Sequence, residues 1–418
     1  MRNFVLRLID LLDERSKTIS RVGVMLIFVL GVGYSIMLGD TIRFADERDY
    51  MEIARNIVEH GEFSRKQGTP TAYRPPLYPL LLASLASLKV PVVGMRIVNF
   101  LLLGLSALLL SKITLAAGQR IAAALIPFVV LGYPLFLYTA GTLYPQTFSG
   151  FLLCLFFYFL CHPQQTTARM CAAGVSFGLS ILAVALHLLL LPVLLLWSLA
   201  TRAIHIRRML MICLIAALVT LPWLGRNYVT FDTFPLFGTN SGVNLLLGNS
   251  RNTTPNSGVR VDISEFQADA SGFDELGRNK FYTEKAVENF IGDPSKYVIL
   301  YFRKVLNWFN VNPNLATSDQ QNWIQVAVLA ISYFVFIVVV LLRLWYSGRK
   351  PLTLFEGLSL AFYISAAAAY AVFFTRIRFR VPFDLLLVGS VAHALSILAI
   401  EIFRPRASRS QESVSHKR

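Results

Sequence analysis

Residues 171–200 read CAAGVSFGLSILAVALHLLLLPVLLLWSLA, thirty positions without a single Asp, Glu, Lys or Arg. Crossing a hydrocarbon core of about 30 Å takes roughly 20 helical residues, so the run is too long for one upright pass. At 1.5 Å rise per residue it supplies only about 45 Å of helix, barely two tilted passes. The reading that fits is a pair of short, tilted or re-entrant passes meeting near His187. A lone His in such a run reads first as a hydrogen-bonded core residue and only second as a catalyst.

Apolar stretches recur on both sides of this run, at 22–38, 96–116, 119–138, 145–161, 209–225, 322–343, 353–374 and 382–402. The 418-residue chain is 55% hydrophobic and 15% charged, against roughly 25% charged in an average soluble domain. This predicts an all-α polytopic membrane protein with about ten transmembrane helices once 171–200 is divided. The first run is read as a retained anchor, because residues 1–21 before it are charged and amphipathic and no small-residue cleavage site follows. Within 1–21, Phe4, Leu8, Leu11 and Leu12 share a helical face away from Arg2, Arg7 and Arg15, which suits a helix lying on a membrane surface. Residues 76–88, PLYPLLLASLASL, are too short to span and are bracketed by prolines, so they read as an interfacial helix. Cys154, Cys161, Cys171 and Cys213 all sit in apolar runs without C-x-x-C spacing and read as small buried hydrophobes.

A net charge of +15 on a soluble protein would raise the question of nucleic acid. Here the charge has an address. Segment 1–21 carries +2, Lys112 with Arg120 +2, Arg169 +1, Arg202 with Arg207 and Arg208 +3, Arg343 with Arg349 and Lys350 +3, and 404–418 +4, which together equal the whole net charge. The long polar segments are balanced instead, with six basic and seven acidic residues in 39–76 and nine and ten in 226–320. By the positive-inside rule both termini are expected in the cytoplasm and the long segments outside, with no nucleic-acid partner. The expected organisation is an amphipathic N-terminus (1–21), a transmembrane module (22–225) with a first outer loop (39–95), a mixed and partly helical outer segment (226–321), C-terminal spans (322–403) and a basic tail (404–418). In the second outer segment 238–252 is rich in Gly and Asn and reads as turns, while 279–310 has helical spacing.

The densest acidic cluster, Asp46-Glu47-Arg48-Asp49-Tyr50, follows the first span. If 46–60 is helical, Asp46, Asp49 and Tyr50 share a face and Glu47 points partly away. Crowded carboxylates at a membrane surface suit a general base; the plainer reading is a helix N-terminus whose dipole favours acids. Arg74, in TAYRPPLYP, stands at the membrane surface where its planar fork suits a phosphate. Arg376, Arg378 and Arg380 form a positive outer hairpin against the charge rule, fit either to clamp a lipid phosphate or to snorkel to headgroups.

The motifs Asp46-Glu47-x-x-Tyr50, Gly61-x-Phe63-Ser64, Arg74-Pro75-Pro76-Leu77-Tyr78-Pro79, Pro222-Trp223 with Arg226-Asn227-Tyr228, TNSGVNLLLGN at 239–249 and RFRVPFD at 378–384 come in an order that resembles the GT-C glycosyltransferases. The likeness is to the bacterial branch related to protein O-mannosyltransferases and to aminoarabinose and galacturonic-acid lipopolysaccharide transferases. It implies transfer of a sugar from a polyprenyl-phosphate carrier to a glycolipid, polysaccharide or protein acceptor on the periplasmic side of a bacterial inner membrane, usually with inversion. By the same resemblance Asp46 is the base, Glu47 supports it and Asp49 is the substitute; Tyr50 contacts donor or acceptor. Arg74, Arg376, Arg378 and Arg380 bind the lipid phosphate, and Arg226 with Asn227 and Tyr228 closes the site. Family members often have an acid in the short outer loop that here reads TAGTLYPQ, ending in Gln146. No D-x-D motif stands in the outer loops, so the sequence indicates no metal and no cofactor. A lipid-linked-sugar flippase or transporter would put ionisable groups inside the spans and show inverted repeats, whereas here most spans are nearly free of charge and no inverted repeat is visible. A noncatalytic membrane scaffold is the other competing class.

Overall fold

A computed structural model of the chain describes residues 2–235, 238–311 and 322–403. Helix α1 (Arg2–Glu14) presents Phe4, Leu8 and Leu11 to the outside and leads into α2 (Ser16–Leu38). The chain turns at Gly39, with φ of +62°, and the buried guanidinium of Arg96 donates to the carbonyls of Gly39 and Thr41, fixing that exit. The first outer segment then forms α3 (Ala45–His60), a small antiparallel hairpin of β1 (Ser64–Lys66) and β2 (Thr69–Pro70), and the short α4 (Leu77–Ser87). Apolar helices α5 (Val92–Ala116), α6 (Arg120–Leu131), α7 (Pro134–Ala140), α8 (Pro145–Leu160) and α9 (Thr167–Ala183) follow. A 3-10 turn (Ala185–Leu190) joins α9 to α10 (Leu191–Thr201), which is followed by α11 (Ile206–Phe231). The second outer segment contains α12 (Ser241–Gly248), α13 (Ser264–Asp269), α14 (Glu275–Gly292) and α15 (Pro294–Asn307). Helices α16 (Trp323–Trp345), α17 (Leu354–Val372) and α18 (Ile377–Phe403) complete the described bundle.

The protein is thus an all-α polytopic membrane protein. Among the described residues six helices are long and apolar enough to cross a membrane: α2, α5, α11, α16, α17 and α18. The pair α6–α7, bent by 63°, makes a seventh if it is one span. Ten apolar passes follow only if α8, α9 and the 3-10–α10 stretch are added, and these are short: the 16 residues of α8 rise about 24 Å. The run 171–200 does break, at Val184, whose φ of −141° and ψ of 102° are extended. Pro192 starts the next helix, as a residue without an N–H favours a first turn. The helix before the break begins at Thr167, ahead of the apolar run.

Lipid tails offer no hydrophobic drive for helices to associate, so close packing of small residues carries more of the burden. Helix α2 buries Ser16, Ser20, Gly23, Gly31 and Ser35 along one stripe. At Gly31 a Cβ would lie 2.2 Å from Cγ of Phe100, so only glycine fits against α5. Gly174 and Gly178 do the same for α9, where a Cβ would come within 2.8 Å of Ile215 and 2.7 Å of Val219 on α11.

Several expectations are corrected by tertiary contacts. Arg343, counted above as an orientation charge, is buried and gives a two-pronged pair to Glu356 at 2.7 and 3.0 Å, with His393 Nδ1 2.9 Å from the same carboxylate. The Gly/Asn-rich stretch expected as turns contains α12, whose Leu246 and Leu247 pack against Val261, Tyr282 and Phe374. The helical stretch 279–310 is two helices, divided at Asp293 and Pro294. The last span starts at Ile377, so Arg378 and Arg380 belong to a helix and not to a hairpin. The tail 404–418 lies outside the described residues.

The two outer segments join each other. Glu275 accepts from Thr71 Oγ1 at 2.6 Å, from the Ala72 N–H at 2.8 Å and from the Thr239 hydroxyl, while the Thr239 N–H donates to the Ala72 carbonyl at 3.1 Å. They therefore sit at one end of the bundle, the end reached by the last turn of α2. A bulkier residue at Gly31 tests the packing that sets this end. Gly31→Val is expected to cost about 1–3 kcal/mol through overpacking, read as a lowered Tm of the detergent-purified protein; an unchanged Tm would contradict the contact with Phe100.

Candidate active site

Asp46 stands in the first turn of α3, and the helical period puts Asp49 and Tyr50 on the same face. Arg74, from the extended segment after β2, lays its guanidinium 5.0 Å over the Tyr50 ring and donates from Nη2 to Asp46 Oδ1 at 2.6 Å and Asp49 Oδ2 at 2.7 Å. Arg378, in the first turn of α18, approaches from the opposite side, with Nη2 2.6 Å from Asp46 Oδ2 and its guanidinium 4.7 Å over Tyr144. One carboxylate is held by two arginines from elements more than three hundred residues apart in sequence. Burial works to raise the Asp46 pKa, but Arg378 and Arg74 outweigh it and hold the carboxyl well below the usual range.

Arg376, just before α18, has a guanidinium with no ion-pair or hydrogen-bond partner among the described residues, although its backbone carbonyl accepts from the Phe379 N–H at 3.0 Å. Burial, reinforced by the charge of Arg378, pushes its pKa down to about 10. A partly buried cation without a partner has strong reason to take an anion. These groups line a cavity of about 540 Å³. Its polar lining holds Arg43, Asp46, Tyr73, Arg74, Arg376 and Arg378, with Asn240 just before α12 and Ser241 and Asn244 within it. Its apolar side is made by Ala183–Leu186 at the broken span and by Tyr370, Phe373, Phe374 and Phe379. Such a space can take a ligand with an anionic head, a hydroxyl-rich part and an apolar tail.

Other residues expected at the site have different positions. Glu47 is fully buried, and its carboxylate accepts the backbone N–H groups of Arg43, Phe44 and Leu143 at 2.8, 3.1 and 2.9 Å. Asp49 stands behind Arg74 and is shared with Arg65 at 2.8 Å. Arg226 donates to the carbonyls of Thr71 at 2.9 Å and Phe63 at 3.2 Å, lies over the Trp223 and Phe231 rings, and does not line the cavity. Tyr228 is exposed and stacks on Phe234, and Asn227 is buried below it. Arg380 is buried and directed away, donating to Asp384 at 3.1 Å and to the carbonyls of Trp308 and Asn310 at 3.0 and 3.1 Å. Residues two apart on a helix are about 200° apart, so Arg378 and Arg380 cannot hold the same group. His187 is buried with its ring edge against Phe383.

Arg43, Tyr144, Asn240 and Asn244 line the cavity without having been singled out as site residues. The sequence signals for the two asparagines were the polar density of 238–252 and their place in the TNSGVNLLLGN motif. Gln146 lines it too, at the position where the family often has an acid. Among the described residues no three His, Cys, Asp or Glu side chains come together as metal ligands.

No family model and no curated protein matches the sequence. Among solved structures, the chain is similar to the archaeal oligosaccharyltransferase AglB from Archaeoglobus fulgidus, solved with an inhibitory peptide and a dolichol-phosphate, at 14% identity and a TM-score of 0.53. The match covers 93% of this chain and 52% of AglB, so the chain spans about half the length of that enzyme. ArnT from Cupriavidus metallidurans, bound to undecaprenyl phosphate, gives 15% identity and a TM-score of 0.42 over 89% of this chain and 77% of that one. The fold is that of the GT-C glycosyltransferases, as the sequence resemblance implies.

Because the folded-state pKa of Asp46 is depressed, its ion pairs contribute their full stability above the ordinary Asp value of about 3.9 and lose it as pH falls toward the folded value. Arg74→Met removes a shared partner and is expected to cost about 3 kcal/mol. In thermal unfolding the deficit should stay constant from pH 8 to pH 5 and shrink only below pH ~3.9; a deficit that grows on acidification would refute the pairing.

Proposed function

We propose that this chain is an integral-membrane glycosyltransferase of a bacterial cytoplasmic membrane, transferring a sugar from a polyprenyl-phosphate carrier to a lipid, glycan or protein acceptor on the periplasmic side. The observation that carries the proposal is the Asp46 carboxylate held between Arg74 and Arg378, in a cavity that they share with Arg376, whose guanidinium has no partner among the described residues, and with aliphatic and aromatic side chains. That AglB, which has this fold, was solved with a dolichol-phosphate supports a lipid phosphate as the ligand.

The donor phosphate binds Arg376 and Arg378, and its isoprenoid runs along Phe373, Phe374 and Phe379. Taking Arg378 weakens that arginine's hold on Asp46, and the carboxylate becomes a better proton acceptor. An acceptor hydroxyl hydrogen-bonded to Asp46 attacks the anomeric carbon; the bond to the phosphate oxygen breaks and its electron pair leaves on the phosphate. The hydroxyl proton passes to Asp46, and the configuration inverts. Arg74, with Asp49 and Tyr50, keeps the carboxylate aimed. Asn240 and Asn244 are placed for sugar hydroxyls. Glu47, Arg226 and Arg380 are positioning residues that fix the walls.

Asp46→Asn is expected to lower transfer by about 10²–10⁴-fold without weakening the Kd for undecaprenyl phosphate; undiminished transfer would overturn the role of the base. Arg378→Ala should raise that Kd about tenfold to a hundredfold, and an unchanged Kd would remove it from the donor site. Mass spectrometry of envelope glycolipids and glycoproteins from cells carrying wild type or Asp46→Asn identifies the acceptor, and identical profiles would speak against transferase activity.

A further inference from the structure

A second cavity, of about 200 Å³ and of mixed polar and apolar lining, lies between α2, α5 and α6 near the first turns of α2. The 23 residues of α2 separate it from the active-site end by about 33 Å of helix, so it opens at the other membrane surface. Lys17 and Arg21 of α2 and Lys112 of α5 surround it, all exposed. No carboxylate pairs with any of the three among the described residues, and Lys112 Nζ is steadied 5.8 Å from the centre of the Tyr158 ring.

Two serines point to a ligand independently of the charge. Inside an apolar bundle a helical serine normally returns its hydroxyl to the carbonyl four residues back. Ser35 of α2 does so to Gly31 at 2.7 Å, and Ser106 of α5 to Leu102 at 2.7 Å. Ser20 and Ser111, on the same two helices and each only 4% exposed, line this cavity with hydroxyls that have no partner among the described residues. Below them Leu108 and Leu115 supply an apolar floor.

We propose that this cavity binds the phosphodiester headgroup of an anionic glycerophospholipid of the leaflet opposite the active site. The three cations attract the singly charged phosphodiester, the Ser20 and Ser111 hydroxyls donate to its oxygens, and the leucine floor takes the start of the acyl chains. A soluble phosphate would use the cations and hydroxyls but not the floor.

The full chain, purified in neutral detergent and delipidated, is titrated with short-chain phosphatidylglycerol, phosphatidylcholine or inorganic phosphate, with Tm and native mass spectrometry as readouts. Phosphatidylglycerol is expected to bind saturably, one per chain, and to raise Tm by about 3 °C or more at high excess. Lys17→Gln/Arg21→Gln/Lys112→Gln should weaken it about tenfold or more, and Ser20→Ala/Ser111→Ala, which leaves the charge unchanged, about threefold or more. Equal stabilisation by phosphatidylcholine would overturn the anionic requirement, and equal stabilisation by inorganic phosphate would overturn the lipid. If the charge variant fails to fold, the serine variant decides: unchanged phosphatidylglycerol affinity there refutes the site.

Discussion

The Glu47 carboxylate accepts three backbone N–H groups, two from the entry to α3 and one from the α7–α8 turn. Turns at a membrane surface leave amides and carbonyls that no helix satisfies, and an orphaned buried group costs about 1–3 kcal/mol. Charged side chains meet this need throughout the outer end of the bundle. Arg96 closes the turn after α2, Arg226 holds the carbonyls of Phe63 and Thr71, and Glu275 takes the Ala72 amide. Lys304 binds the carbonyls of Gly248 and Phe373, where the backbone of α12 passes so close to Phe373 that only a glycine fits at position 248. The direction of α3, and with it the aim of Asp46, depends on these clamps.

Once the clamps are set aside, few charges are left to act on a ligand. Among the described residues Arg43, Arg74, Arg376 and Arg378 face the cavity against one lining carboxylate, that of Asp46. At an effective dielectric near 20, a pair of unit charges 4 Å apart interacts by about 4 kcal/mol. Asp46 can satisfy two of the four guanidiniums, and Asp49 shares the load of Arg74 from behind. The remaining excess is positive, partly buried and concentrated at Arg376, a charge balance that favours an anionic ligand.

The helical architecture and the limits of α3 were legible in the sequence because apolar length and helical period are local properties. The break in 171–200 was legible for the same reason: thirty residues are too many for one upright pass and barely enough for two tilted ones. Which charges would be clamps was not legible, since Glu47, Arg226 and Arg380 differ from Asp46, Arg74 and Arg378 only in their tertiary partners. Alternating arginines at 376–380 suggested an outer hairpin able to clamp a lipid phosphate with all three, but the helix starts at Ile377 and turns Arg380 toward Asp384. In α12 the Asn and Gly residues signal turns, while Leu246 and Leu247, buried against the second outer segment, settle the matter in favour of helix.

The break at Val184 and the arginines of α18 belong to one arrangement. Irregular backbone at membrane depth is tolerated where it lines a cavity instead of facing lipid, and Ala183–Leu186 do line one. A continuous helix through 184 would carry its side chains into that space. The short passes on either side therefore leave room next to the guanidiniums, and the room is bordered by aliphatic and aromatic side chains. A soluble anion would be served by the arginines alone. An apolar wall running directly from a cationic patch suits a molecule whose own charge and hydrocarbon are covalently continuous, and a lipid phosphate has that form.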